Sequence, residues 1–212
     1  MLQVATFVFS PLQENTYILY NEERVCCVID PGCYFASERV KLQNFINDHH
    51  LEANILLNTH CHLDHVFGNK FVSGTWGLVP HIHAKEKPVL QVAGEYGRMW
   101  NLPFDAYEGE VQLLEEGDLV HLGQDELRVL FTPGHAPGHI CFYCVQQGFV
   151  ISGDTLFRMS IGRTDLPYGD HDTLINSIRT KLFTLPDDTI IYPGHGPSTT
   201  VGYEKQHNPF LR

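Results

Sequence analysis

The sequence predicts an α/β fold built in layers, and three observations lead there. Strand-like runs fall into two groups, each followed by helical segments. Turn residues such as Ser10-Pro11 and Asn21-Glu22-Glu23 separate the runs. Several apolar runs finish on a His or Asp, the arrangement expected where ligand sites form beyond the carboxyl ends of strands in open α/β sheets.

Taken in order, Leu2 to Phe9, Thr16 to Tyr20 and Val25 to Ile29 read as strands, the last ending in Asp30-Pro31-Gly32. Ser37 reads as the N-cap of a helix whose apolar stripe is Val40, Leu42, Phe45 and Ile46, reaching about His49. Asn54 to Asn58 is a short apolar strand, a second helix starts near Asp64, and Leu78 to His83 is another strand. Lys85 to Asn101 reads as helical despite Pro88, Gly94 and Gly97, and 102 to 117 as irregular. Leu119 to Leu122, Leu127 to Thr132, Ile140 to Val145 and Phe149 to Ser152 are strands, with Gln146-Gln147-Gly148 as a hairpin turn. Asp172 is the expected cap of a helix with Leu174, Ile175, Ile178 and Leu182 on its apolar face. Pro186 ends that helix, Thr189 to Tyr192 is the last strand, and a short helix follows Thr200. Two similar halves are suggested, without a clean repeat.

The 212 residues, 43% hydrophobic and 18% charged, fit a single domain over 1–212. A chain of this length buries about 70% of its unfolded surface and needs no disulfide scaffold. The net charge of −11 repels phosphate backbones and anionic lipid, so neither nucleic acid nor a membrane surface is an expected partner. Met1 to Ser10 has no basic start and is too short and β-branched for a signal segment, and no run approaches the about 18 apolar residues of a span. The expected location is the cytoplasm. The six Cys read as buried reduced thiols; Cys141 and Cys144 have the C-x-x-C spacing, but in a strand residues three apart face opposite ways.

The thirteen His, about 6% of the chain, are a high proportion for a residue that binds metals and moves protons. Four strand endings carry the chemistry. They deliver His60 after Asn54 to Thr59, His135 through Thr132-Pro133-Gly134, Asp154 after Ser152-Gly153, and His195 through Pro193-Gly194. Glycine before three of these residues lets the backbone turn sharply. In His60-Cys61-His62-Leu63-Asp64-His65, four metal-competent side chains lie within six positions. One ion at a strand end cannot easily take all four. Two ions could divide them, His60 with His62 and Asp64 with His65, and His135 and His195 would give each ion three protein ligands. Asp154, with two oxygens, can bridge. Imidazole and carboxylate without thiolate suit zinc, iron or manganese. Two ions sharing a water lower its pKa, so hydroxide exists near neutral pH.

Thr59 to His65, Thr132-Pro133-Gly134-His135, Ser152-Gly153-Asp154-Thr155 and Tyr192-Pro193-Gly194-His195 resemble the successive motifs of the metallo-β-lactamase superfamily, and Ile29-Asp30-Pro31-Gly32 resembles its first. The resemblance covers nearly the whole chain. It implies a four-layer αβ/βα sandwich with the site at the edge between two sheets. It also implies His60, His62 and His135 on one ion, Asp64, His65 and His195 on the other, Asp154 between them, and Asp30 just behind the metal site.

Within the superfamily the resemblance is to short glyoxalase II proteins, the hydroxyacylglutathione hydrolases. It rests on Ser152 to Phe157, Gly162-Arg163-Thr164-Asp165, Tyr192 to Pro197 and Asn208-Pro209-Phe210-Leu211. Fuller members carry an extra C-terminal helical region that contributes to the glutathione contact, and none is expected here. The resemblance implies thioester hydrolysis, with S-lactoylglutathione or a related hydroxyacylglutathione as substrate. A metal-bridging hydroxide would attack the carbonyl, Asp64 orienting it or taking its proton. Arg163 would meet the substrate carboxylate, or else pair with Asp165 or Asp170 as a surface Arg. Cys61 should point away from its neighbours.

The first rival is a persulfide dioxygenase, which holds one iron on residues equivalent to His60, His135 and Asp154; Gly162 to Asp165 and Phe183 to Pro186 resemble that family too. Against it, Ile161 stands where that family has Cys, and Gly196 follows His195 where it has Asp. Lactonase or β-lactamase hydrolysis and a non-enzymatic metal-binding protein are further readings. His81 and His83 share a strand face and read as solvent or packing residues. His139 is expected near the site but not as a ligand.

Overall fold

The computed structural model describes residues 1–211. The strand alternation expected from the sequence produces two six-stranded sheets among these residues. The first contains β1 (Gln3–Phe9), β2 (Glu14–Tyr20), β3 (Val25–Ile29), β4 (Glu52–Leu57), β5 (Pro80–Ile82) and β6 (Gln112–Leu113), in that spatial order. β1 to β3 are antiparallel, whereas β3 to β6 run parallel. The second has β7 (Leu119–Leu122), β8 (Asp125–Phe131), β9 (Ile140–Cys144), β10 (Phe149–Gly153), β13 (Ile190–Pro193) and β14 (Thr199–Thr200), in the order β14-β13-β10-β9-β8-β7. A small hairpin of β11 (Leu156–Phe157) and β12 (Ser160–Ile161) follows β10.

The period-2 pattern explains why the sheets stack. One face of each supplies the central core: Tyr17, Leu19, Cys27, Ile29 and Leu57 meet Leu127, Val129, Ile140, Phe142 and Ile151. On the outer face of the first sheet, Ile18, Cys26, Val28 and Leu56 pack under α1 (Ala36–Asp48) and α3 (Asn69–Trp76) through Leu42, Ile46 and Val72. On the outer face of the second, Cys141, Tyr143, Val150 and Ile191 meet α5 (His171–Ser177) through Leu174, the π-helical turn Ile178–Leu182, and Val201 of α6 (Val201–His207). The layers are therefore αβ/βα. The adjacent Cys26 and Cys27 point into different layers, as do Cys141 and Cys144, and all six thiols are buried and free.

Several element ends differ from the sequence expectation. The first helix is capped at Phe35, not Ser37, because the Glu38 carboxylate reaches back to the Phe35 N–H at 2.9 Å. Its buried residues are Leu42 and Ile46, while Val40 faces solvent. Asp170, not Asp172, caps α5, accepting the Thr173 N–H at 2.7 Å. The helix near Asp64 is two pieces, α2 (Leu63–Val66) and α3, broken at Gly68, whose N–H donates to the Pro31 carbonyl at 2.7 Å. Lys85 to Asn101 opens as a 3-10 turn, Ala84–Glu86, and continues as α4 (Lys87–Met99), with Pro88 tolerated in the first turn. The irregular stretch contains β6. No helix among the described residues is long and apolar enough to cross a membrane.

Candidate metal centre

β3 and β4 run parallel in the first sheet, and β8, β10 and β13 share a direction in the second. Asp30, His60, His135, Asp154 and His195 all follow carboxyl ends of these strands, so the strand direction alone collects them at one edge of the sandwich. Backbone bonds lock the two sheets together there. The Ile140 N–H donates to the Thr59 carbonyl at 2.8 Å, and the Asn15 N–H to the Gly194 carbonyl at 2.7 Å.

The seven side chains marked by the sequence form two sets. His60, His62 and His135 bring one nitrogen each to a common point, with His62 Nδ1 2.8 Å and His60 Nε2 3.2 Å from His135 Nε2. Asp64, His65 and His195 form the second, His195 Nε2 lying 3.2 Å and His65 Nε2 4.0 Å from Asp64 Oδ2. Asp154 faces both. Its Oδ1 is 3.4 Å from His65 Nε2, and its Oδ2 is 3.5 Å from His135 Nε2 and 3.7 Å from His195 Nε2.

The surroundings fix which ring nitrogen is free. His65 Nδ1 lies 3.0 Å from Asp30 Oδ2, His135 Nδ1 2.7 Å from the Arg163 carbonyl, and His195 Nδ1 3.2 Å from the Gln13 carbonyl. These oxygens only accept, so each Nδ1 carries a proton, and each Nε2 is the nitrogen that faces the cluster and would give its lone pair to a metal. His60 follows the same logic. The Thr59 hydroxyl donates to Asp30 Oδ2 at 2.5 Å, so His60 Nδ1 donates to that hydroxyl at 3.0 Å and its Nε2 is free. Asp30 thus organises His60 and His65 together from behind the cluster.

Burial, followed by repulsion from neighbouring imidazoles, holds His60 well below the usual histidine range and pushes His62 down to about 3; burial also lowers His135. This set is neutral. In the other set burial opposes charge, but Asp154 and Asp64 outweigh it and raise both His65 and His195. Burial likewise opposes ionisation of Asp154 and Asp64, yet His65 first, then His195, keeps both carboxylates below their ordinary value.

His65 Nε2 and Asp154 Oδ1 are buried and have no hydrogen-bond partner. Such groups are expensive to bury unpaired. Unpartnered donors facing one another, four tautomers oriented towards the centre, and a donor set of imidazole and carboxylate fit two divalent cations. Cys61 is not among the donors. Its side chain joins Val66, Ile82, Val89, Leu90 and Ala93 in the apolar cluster against α4, and burial first, then Glu86, raises its thiol well above normal.

Of the three glycines expected to turn the chain, Gly134 and Gly153 do adopt positive φ, +132° and +47°. Gly194 does not. It is required by close approach, since a Cβ there would collide with Asp154 Oδ1 and His65. The Arg163 guanidinium is half exposed and forms a bidentate pair with Asp165, at 2.7 and 2.8 Å, while its backbone carbonyl carries His135. His139 is buried beside the site, not in it. Its Nε2 accepts the Asp154 N–H at 3.1 Å and its Nδ1 lies 2.9 Å from the Thr132 hydroxyl. His83 caps the 3-10 turn and stacks on Phe131.

Two supports carried no motif. Asn15 holds the turn that delivers His195: its amide donates to the Pro193 carbonyl at 2.9 Å and the Gly196 carbonyl at 2.8 Å. Glu86 is buried and accepts the N–H groups of Cys61 and Gly138, at 2.8 and 2.7 Å. A cavity of about 370 Å³ opens onto both ligand sets, and α4 forms one of its walls.

Comparison with known proteins agrees with this geometry. The profile of the metallo-beta-lactamase superfamily matches residues 9–195. Hydroxyacylglutathione hydrolase GloC of Haemophilus influenzae is 39% identical over 205 residues, covering 94% of this chain and 93% of that protein. Among solved structures, BLEG-1 B3 metallo-beta-lactamase superposes with a TM-score of 0.90 at 35% identity, covering 99% of each chain. TTHA1623, solved in a di-iron-bound form, superposes with a TM-score of 0.88 at 38% identity, covering 98% of this chain and 100% of the other. The two stacked sheets, the strand ends and the profile all lead to one family, and this chain belongs to the metallo-beta-lactamase superfamily.

Proposed function

We propose that the protein is a binuclear metal-dependent hydrolase that cleaves a thioester, with S-lactoylglutathione or a related hydroxyacylglutathione as the first substrate to test. The observation that carries the reading is the paired ligand geometry, two three-residue sets with Asp154 facing both. His60, His62 and His135 would hold one ion, Asp64, His65 and His195 the other, and Asp154 would touch both. Zinc is the first candidate; iron or manganese suits the same donors, and the di-iron form of TTHA1623 is in keeping with that. When bound, two such ions acidify a shared water and polarise an acyl carbonyl oxygen.

The chain's own residues supply the rest. Asp64 is held ionised beside His195, which suits it to orient a water or take its proton. The side chains near the site make poor nucleophiles. The Cys61 thiol is buried and held well above its usual range by burial first and then Glu86, and Ser152 is buried against the backbone carbonyls of Gly153, Leu156 and Tyr192. The Ser160 hydroxyl, on the cavity lining, has no base bonded to it among the described residues and donates to the Ile161 carbonyl. A water held at the cluster is the better nucleophile. Arg163 stands at the cavity rim, where a substrate carboxylate would displace Asp165 or take the Nη1 side that Asp165 leaves open. The name of the Haemophilus relative supports the thioester reading.

The test is thiol release from S-lactoylglutathione, with Asp64→Ala as control and bound metal counted in both. Rapid release, two ions per chain and loss of release in the variant are expected. A fully loaded protein that releases no thiol overturns the thioester assignment. One iron per chain with oxygen uptake on glutathione persulfide would establish the dioxygenase reading, which leaves His62, Asp64, His65 and His195 without a metal.

A further inference from the structure

We propose that the wall built by α4 is a subsite for an apolar acyl group, so that the preferred substrates are thioesters of aliphatic or aromatic acids. This rests on the hydrolase reading above and narrows its substrate class. The cavity that contains His62, Asp64, His135, Asp154 and His195 is otherwise lined mainly by carbon. α4 contributes Val89, Val92, Ala93 and Tyr96 at helical spacing, and Trp100 continues the stripe beyond its end. Leu12, Phe157, Ile161 and Leu166 line it as well.

Charge supports the same occupant. Among the described lining residues, Arg163 is the one cation besides histidine, and Asp165 already holds the Nε–Nη2 edge of its guanidinium. A thiol carrier bearing several carboxylates or phosphates finds a single Arg there, already paired along one edge, and meets a chain of net charge −11. A volume of about 370 Å³ lies at the small end of ligand cavities, enough for a short acyl chain beside the scissile bond. The wall is also graded. Val89 and Ala93 are buried, whereas Trp100 and Tyr168 are exposed. The closed end suits the acyl group, which stays after the thiol has left, and the open end suits the departing thiol.

The experiment uses the metal-loaded full chain and a series of acyl thioesters of one neutral thiol, N-acetylcysteamine, from acetyl to hexanoyl. kcat/KM is expected to rise about three- to fourfold per methylene, the factor given by ~0.8 kcal/mol per buried CH2. In Val92→Asp the hexanoyl-to-acetyl ratio is expected to fall at least tenfold. A second readout does not need turnover: Trp100 fluorescence, in a Trp76→Phe background, on titration with acetate, hexanoate and octanoate. Affinity should rise with chain length, and Val92→Asp should flatten the rise. Flat affinity and flat kcat/KM overturn the subsite even if S-lactoylglutathione is cleaved fast, which would leave the thioester reading intact. Affinity that rises with chain length while no thioester is cleaved keeps the subsite and removes the thioester reading.

Discussion

The Glu86 carboxylate and the Cys61 N–H are 2.8 Å apart, and that bond ties the 3-10 turn before α4 to the loop that carries His60 and His62. The second Glu86 oxygen accepts the Gly138 N–H, three residues after His135. One buried side chain therefore spaces the two loops that build the three-histidine set. Glu86→Ala is expected to weaken metal binding about 10- to 100-fold, the usual effect of removing a group that orients ligands. Competition with a chromophoric chelator measures it, and unchanged affinity would show that the loops hold their spacing without Glu86.

The same carboxyl gives a pH dependence of stability. Burial pushes Glu86 up from 4.5 to about 7, against the pull of its two N–H donors. The folded protein then keeps a proton that the unfolded chain releases between pH 4.5 and 7, so this group's contribution falls as pH rises through that window. Glu86→Gln has no such proton. In chelator-treated protein the stability difference should therefore shift towards the glutamine variant between pH 5 and 8, by up to ~3 kcal/mol. Urea unfolding of both proteins at the two pH values checks it.

Metal removal tests the division of the ligands. His60→Ala and His195→Ala each remove one member of a different set, and each is expected to lower the bound metal from two ions to one, measured by elemental analysis. Chelation of the parent should lower Tm, because ions that bind only the folded state stabilise it by mass action. Loss of both ions in both variants would mean that the sets fill as one cooperative unit.

All six thiols are buried, and burial raises Cys26 and Cys33 to about 12 and Cys141 to about 11. Native protein at pH 8 should not react with an aromatic disulfide reagent, and six thiols should appear on denaturation. A fast-reacting thiol in the native protein would contradict the placement of at least one of these residues.

The strand ends were legible because they combine two local signals, an apolar run and a ligand-type residue directly after it. The grouping of the seven side chains follows from that and from the dense run His60 to His65, and the opposite faces of Cys26 and Cys27 and of Cys141 and Cys144 follow from period-2 alternation. Glu86 and Asn15 were not legible, since their partners lie 25 to 52 and 178 to 181 positions away and no spacing rule links them. The α4 wall carried a signal, the spacing of Val89, Ala93, Tyr96 and Trp100, but Pro88, Gly94 and Gly97 obscured it. The caps moved because Ser37 and Asp172 satisfy a composition rule, whereas Glu38 and Asp170 make the bonds. Arg163 was legible as a residue near the site. That its backbone carbonyl would orient His135 was not, because any residue can supply a carbonyl.

Each ligand set draws two side chains from the first half of the chain and one from the second: His60 and His62 with His135, and Asp64 and His65 with His195. An ion in either set would thus be a staple between two sheets that are separate in sequence. A cut in the exposed turn between Glu116 and Gly117 would give one piece per sheet. Two weak contacts on one rigid face reinforce each other through effective concentration, so the pieces should dimerise far more tightly with metal than without it. The protein would then behave as a pair of fragments whose reunion reports the free concentration of the metal it uses.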